Sequence, residues 1–148
     1  MNLVFCSSAV IRNKKNQILI MSRKNKKTFR NCWEFPGGKL SNYEDYFEAL
    51  IRELKEELGI DIAKNKLKNY IFTRHQYRSF LLMMYTFEVK HWSGQIKNKD
   101  NETLRWVSKK ELKNIKLLPA NIKIINQLLK KVLYKKSHGK CYDNVFIL

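Results

Sequence analysis

Three glutamates, Glu53, Glu56 and Glu57, stand at i, i+3 and i+4. On a helix that spacing places them on one face. Like charges so placed cost an isolated helix roughly 0.2–0.5 kcal/mol per pair. The chain has only thirteen Asp and Glu residues, so this crowding asks for a counter-charge. A hard divalent cation, Mg²⁺ or Mn²⁺, supplies one through oxygen ligands. The competing reading is a solvated acidic face paired with Arg52, Lys55 and nearby lysines.

The surrounding residues predict the elements that would hold these groups. From 44 to 58 the period is helical, with Phe47, Leu50, Ile51, Leu54 and Leu58 as one apolar stripe. Gly59 is a natural stop. Ahead of the helix lies Trp33-Glu34-Phe35-Pro36-Gly37-Gly38-Lys39, a loop that cannot be helical throughout. Strands are expected at 4–11, 17–21, 67–73, 80–89 and 103–107. Ser108-x-x-Glu111 is a capping box that opens a short helix. Pro119 starts a second long helix, with Ile122, Ile125, Leu128, Leu129 and Val132 on its apolar face. The order β-β-loop-α-β-β-β-α-α is an α+β fold with helices packed on a mixed sheet.

Length and composition set the remaining bounds. The 148 residues make one domain, expected at 1–136, followed by a tail at 137–148 that ends in the apolar run VFIL. No apolar run is long enough to span a bilayer. The first ten residues lack the positive start of a secretory signal, so a cytoplasmic protein is expected. Cys6, Cys32 and Cys141 are odd in number and share no C-x-x-C spacing, which argues for reduced thiols. Trp33, Trp92 and Trp106 read as core, and His75, His91 and His138 have no visible ligand partner. The net charge of +17 suggests a polyanionic partner. Twenty-three of the thirty cations are Lys and fourteen residues are Asn, so compositional drift is the rival explanation. No specific nucleic-acid contact, no membrane contact, and a monomer or weak homodimer are expected.

Reading from Gly38, the chain gives five residues, Glu44, seven residues, then Arg52-Glu53-Leu54-Lys55-Glu56-Glu57-Leu58-Gly59-Ile60. The pattern G-x5-E-x7-R-E-U-x-E-E-x-G-U, with U aliphatic, is matched at every position. A chance match is on the order of 10⁻⁸, taking aliphatics at roughly 0.3 of positions. The chain resembles the Nudix hydrolase family, whose signature box this is. That resemblance implies an α/β/α sandwich and hydrolysis of a nucleoside diphosphate linked to a further group, with divalent metal as cofactor. The loop at 33–39 and Leu118-Pro119-Ala120-Asn121 look like the MutT branch. That branch removes 8-oxo-dGTP from the nucleotide pool, giving the monophosphate and pyrophosphate, and so serves mutation avoidance.

The roles implied by the resemblance fall on particular positions. Glu53, Glu56 and Glu57 would hold Mg²⁺ (or Mn²⁺), joined by the Gly37 carbonyl and by Glu44. Asp100, with Glu102 beside it, would face the metals or accept the proton of the attacking water. Arg52 would orient Glu53 through a charge-assisted hydrogen bond. Arg23, Glu34, Phe35, Gly38, Lys39 and Arg78 would contact the nucleotide. Asn121 would read the purine edge, because an amide offers both donor and acceptor; otherwise it caps the last helix.

Two positions depart from the family pattern. Tyr43 stands where a Gly usually precedes the first Glu of the box, and Ser41 stands where an acid is common. Ser41-x-x-Glu44 also reads as a capping box, which gives Glu44 a role at the helix start. The alternatives kept open are another Nudix substrate (other nucleoside triphosphates such as CTP, dinucleoside polyphosphates, ADP-sugars, capped RNA) and a non-catalytic nucleic-acid-binding module. An intact box argues against the module.

Overall fold

The computed structural model describes residues 2–134, with side chains through 130. The tail at 137–148, with Cys141, and the side chain of Val132 lie outside the described residues. The apolar-rich first segment forms β1 (Asn2–Ile11), and β2 (Ile18–Ser22) follows. The Pro-Gly-Gly segment is not all loop. It contains two short strands, β3 (Trp33–Glu34) and β4 (Gly37–Lys39). They are too short to leave a period in the sequence. Helix α1 (Tyr46–Leu58) comes next, then β5 (Lys68–Gln76), β6 (Phe80–Val89) and β7 (Leu104–Val107). A single turn of helix, α2 (Lys109–Leu112), is opened by the expected Ser108/Glu111 capping box. Pro119 starts a 3-10 turn (Pro119–Asn121), and α3 (Ile122–Tyr134) continues from it.

The strands form two sheets rather than one. A mixed four-stranded sheet has the order β4-β1-β6-β5, and an antiparallel three-stranded sheet has the order β3-β2-β7. Strand β1 runs parallel to β6 and antiparallel to β4. Side-chain alternation splits the core in two. Val10, Ile18, Ile20, Leu82 and Met84 face one cluster, which is closed by Leu112, Ile124 and Leu128 of α2 and α3. Ala9, Ile11, Leu19, Phe87 and Val89 face the other, which is closed by Leu50, Leu54 and Leu58 of α1. The result is the α/β/α sandwich. Along α3 the buried positions are Ile124 and Leu128, while Ile122 is half exposed at the helix start. Trp92 and Trp106 stack at 6.4 Å and pack against the α1-side cluster as structural residues.

Candidate active site

The start of α1 corrects one expectation. The N-cap is Asp45, not Ser41: its side chain accepts from the Glu48 N–H, and the Glu48 carboxylate accepts in turn from the Asp45 N–H. Two overlapping boxes compete in the sequence, and the one adjacent to the apolar stripe caps the helix. Glu44 lies in the turn before it. It accepts from the Ser41 N–H at 2.8 Å and takes Nε and Nη2 of Arg52 at 2.6 and 2.9 Å. The Arg52 guanidinium holds the Glu44 carboxyl down at about 2. Arg52 also donates to Glu53 at 2.9 Å and Glu56 at 3.2 Å. It therefore gathers three of the expected metal-binding carboxylates.

The fourth, Glu57, has a different environment. It is only 6% exposed. Burial pushes its carboxyl up to about 8; Glu34, Glu53 and Asp100 push the same way, against a hydrogen bond from the Gly37 N–H. That bond is 3.1 Å long. Gly37 and Gly38 pair with Ser8 and Ser7 of β1, so the loop is sewn to the sheet in fixed register. Gly37 has φ 141°, and a Cβ there would collide with the Ser7 carbonyl. A Cβ on Gly38 would collide with the Glu53 carboxyl. The pair of glycines thus lets the loop lie flat between strand and glutamates.

The far end of α1 positions Asp100. Gly59 closes the helix in the left-handed conformation at φ 71°. The last two carbonyls of the helix are taken by the loop that precedes β7: the Lys97 N–H donates to Leu58 and the Lys99 N–H to Glu57. Asp100 follows directly and pairs with Lys26 at 3.1 Å. Glu102, expected beside Asp100, has other partners. Its carboxylate is buried and taken by the Ser22 hydroxyl at 2.7 Å and the Asn25 N–H at 2.9 Å. It anchors two loops and does not line the cleft.

That cleft has a volume of about 580 Å³. Glu34, Glu53 and Glu57 stand on its acidic side with Gly37, Gly38 and Lys39. Arg23 and Arg78 line it from the loops after β2 and β5. Arg23 pairs with Glu34 at 2.5 Å, so two expected nucleotide contacts meet each other. Burial raises the Glu34 carboxyl, and Arg23 opposes that shift. Phe35 is buried, bridging the core and the cleft wall. Arg52, Glu44, Glu56, Asp100 and Glu102 lie outside the lining.

Asn121 lines the cleft and is only 3% exposed. Its side chain does not cap the turn it sits in, whose N-cap is Leu118. Among the described residues, no hydrogen bond engages its amide. Beside it, the Tyr77 hydroxyl accepts from the Ala120 N–H at 3.4 Å. Tyr77, Phe80 and Phe29 form an aromatic wall. Sequence reasoning missed this wall and Lys26. Their partners are distant in the chain, and Lys26 sits in a run of similar cations with nothing local to single it out.

Among the described residues, no three His, Cys, Asp or Glu side chains are already closed around a metal position. The chemistry of the donor set nevertheless fits a hard cation. Every side-chain donor is a carboxylate oxygen, the most buried one is in no ion pair among the described residues, and Arg52 and Lys26 supply the charge that a metal would replace.

Residues 5–128 match the model of the NUDIX domain. An 8-oxo-dGTP diphosphatase of Buchnera aphidicola subsp. Schizaphis graminum is 33% identical over 82% of this chain and 91% of its own length. A CTP pyrophosphohydrolase of Escherichia coli is 27% identical over 82% of this chain and 88% of its own length. The solution structure of the Escherichia coli ORF135 protein superposes with a TM-score of 0.78 at 24% identity, covering 93% of this chain and 96% of that one. At that identity the likeness is one of fold. No helix among the described residues is long and apolar enough to cross a membrane.

Proposed function

The chain belongs to the Nudix hydrolase family, and from that premise we propose that it is a Mg²⁺-dependent nucleoside triphosphate pyrophosphohydrolase acting on 8-oxo-dGTP. The products are 8-oxo-dGMP and pyrophosphate. The setting is sanitation of a cytoplasmic nucleotide pool. The observation that carries the substrate assignment is Asn121, which is 3% exposed on the cleft wall and whose side-chain amide has no hydrogen-bond partner among the described residues. Facing the open cleft, that amide is available to a ligand, and a base that displaced its water would have to replace those hydrogen bonds.

Nudix hydrolases generally use divalent metal ions. Here Glu53, Glu56, Glu57 and Asp100 would hold them, with the Gly37 carbonyl alongside; Glu44, bound by two arms of Arg52, serves that arginine instead. Bound cations would neutralise the polyphosphate and acidify the attacking water. Arg52 aims Glu53 by its 2.9 Å bond. The water's proton passes to a carboxylate of the set. Arg23, Lys39 and Arg78 offer positive charge to the phosphates, and Phe35 and Asn121 receive the base. The positive field of a +17 chain draws the anionic substrate toward the cleft.

The relative named as a CTP pyrophosphohydrolase supports a second reading, hydrolysis of CTP. A pyrophosphate-release assay with Mg²⁺ over 8-oxo-dGTP, dGTP and CTP decides. The highest kcat/KM is expected for 8-oxo-dGTP. A higher value for CTP moves the assignment to the second reading.

A further inference from the structure

The loop from 23 to 32 carries five cations, of which Arg23 and Lys26 line the cleft, and of these two only Lys26 pairs with Asp100. Lys24, Lys27 and Arg30 are exposed. Lys26 is 34% exposed, lines the cleft, and places its ammonium 3.1 Å from Oδ2 of Asp100. The charges of Glu57 and Glu34 act on it as well. Its backbone is held firmly. The Lys26 N–H donates to the Arg23 carbonyl, and the preceding Asn25 binds both the Glu102 carboxylate and the Asn101 carbonyl. The two loops are therefore locked together on either side of the ion pair. What remains free is the four-carbon stem of Lys26.

We propose that Lys26 is a tethered counter-ion of the acid set: it holds Asp100 while the divalent cation is absent, yields Asp100 to the cation, and then serves the polyphosphate in the same cleft. This rests on the reading that these acids hold a divalent cation. A compact ammonium suits the role, since it makes single, easily exchanged bonds, whereas a guanidinium grips a carboxylate with two. A half-exposed pair of this kind is weak enough to be displaced. Once displaced, the ammonium lies beside the bound anion with no rearrangement of the backbone.

The proposal makes one side chain act in opposite directions on two ligands. Calorimetric titration of Mn²⁺ into the metal-free full chain is the first measurement. Lys26→Met should bind Mn²⁺ about five- to thirty-fold more tightly than the natural chain. Lys27→Met removes the same charge from the same loop and should change Mn²⁺ affinity by less than about twofold. In an Asp100→Asn background, Lys26→Met should have little further effect. The second measurement is titration of inorganic pyrophosphate at saturating Mn²⁺. There Lys26→Met should bind about five-fold or more weakly. Unchanged or weaker Mn²⁺ binding by Lys26→Met overturns the counter-ion role, as does an equal gain in Lys27→Met. Unchanged pyrophosphate binding overturns the second half. If the natural chain binds no Mn²⁺, the metal reading of the acid set fails and takes the proposal with it. If the natural chain binds Mn²⁺ and Lys26→Met matches it, the proposal alone fails.

Discussion

The Gly37 N–H donates to the Glu57 carboxylate across 3.1 Å, joining the glycine loop to the last turn of α1. One buried acid thus reports on both halves of the signature box. It also stands apart from the arginine network, because Arg52 serves Glu44, Glu53 and Glu56 but not Glu57.

A dependence on pH follows from Glu57. Its folded carboxyl lies at about 8, above the unfolded value of roughly 4.3. The folded state therefore binds more protons than the unfolded one between those values, and metal-free stability falls as pH rises through that window. The slope is at most about 1.4 kcal/mol per pH unit for one group. Glu57→Gln should flatten it. Mg²⁺ competes with that proton. Calorimetry in EDTA and in Mg²⁺ should show a larger gain in Tm at pH 8 than at pH 6, and EDTA should abolish activity. Equal gains at both pH values would remove Glu57 from the metal set.

The two glycines before the box should fail in different ways. Gly37→Ala forces a side chain into a φ of 141° and against the β1 backbone, so a loss of at least about 2 kcal/mol in stability is expected. Gly38→Ala meets only the movable end of Glu53. It should fold with a loss under about 1 kcal/mol, yet lower kcat by roughly ten- to a hundred-fold through misplacement of that carboxylate. Denaturant melts and kinetics on both variants separate the two effects. Full activity in Gly38→Ala would show that Glu53 tolerates displacement.

What the sequence made legible was local. The α1 stripe, the box glutamates, the Gly59 stop and the Ser108 cap depend on neighbours within a turn or two, and each lies where its pattern put it. Misreadings arose where two local patterns overlapped or where a partner was distant. Ser41 and Asp45 both offer a capping box, and only packing of the stripe selects Asp45. Asp100 and Glu102 are two residues apart; Ser22, eighty residues back, claims Glu102 and leaves Asp100 facing Lys26. Strands β3 and β4 exist because β2 and β1 pair with them, which no period within two or three residues can announce.

Tyr43 tests the departure from the family pattern directly. It occupies the position where Gly is usual, and it keeps the backbone such a residue would adopt, with φ 69° and a fully exposed side chain. The left-handed conformation costs a non-glycine residue roughly 1–2 kcal/mol. Glycine would remove that cost but lose about 0.4–1 kcal/mol to the freer unfolded chain. Tyr43→Gly should therefore stabilise by up to about 1.6 kcal/mol with kcat unchanged. A stability loss in urea melts would show that the tyrosine ring makes an ordering contact.

The last prediction concerns the base. Oxidation of guanine turns the N7 acceptor into an N–H donor and leaves O6 as an acceptor. One side-chain amide can meet both, its oxygen facing N7–H and its nitrogen facing O6. Against plain guanine the amide oxygen would face a lone pair, and each such unpaired buried contact costs roughly 1–3 kcal/mol, about ten-fold to over a hundred-fold in affinity. We propose Asn121 for this role. It is buried on the cleft wall and no protein group among the described residues bonds its amide, so deleting that amide orphans nothing in the free protein. Asn121→Ala should accordingly keep the melting temperature within a few degrees and bind Mn²⁺ as before. Its preference for 8-oxo-dGTP over dGTP should fall at least ten-fold, through kcat/KM for the oxidised nucleotide. Asn121→Asp supplies the acceptor but not the donor and should fall between the two. If Asn121→Ala loses both activities equally, or loses stability with the preference intact, Asn121 holds the turn before α3 and base recognition lies elsewhere in the cleft.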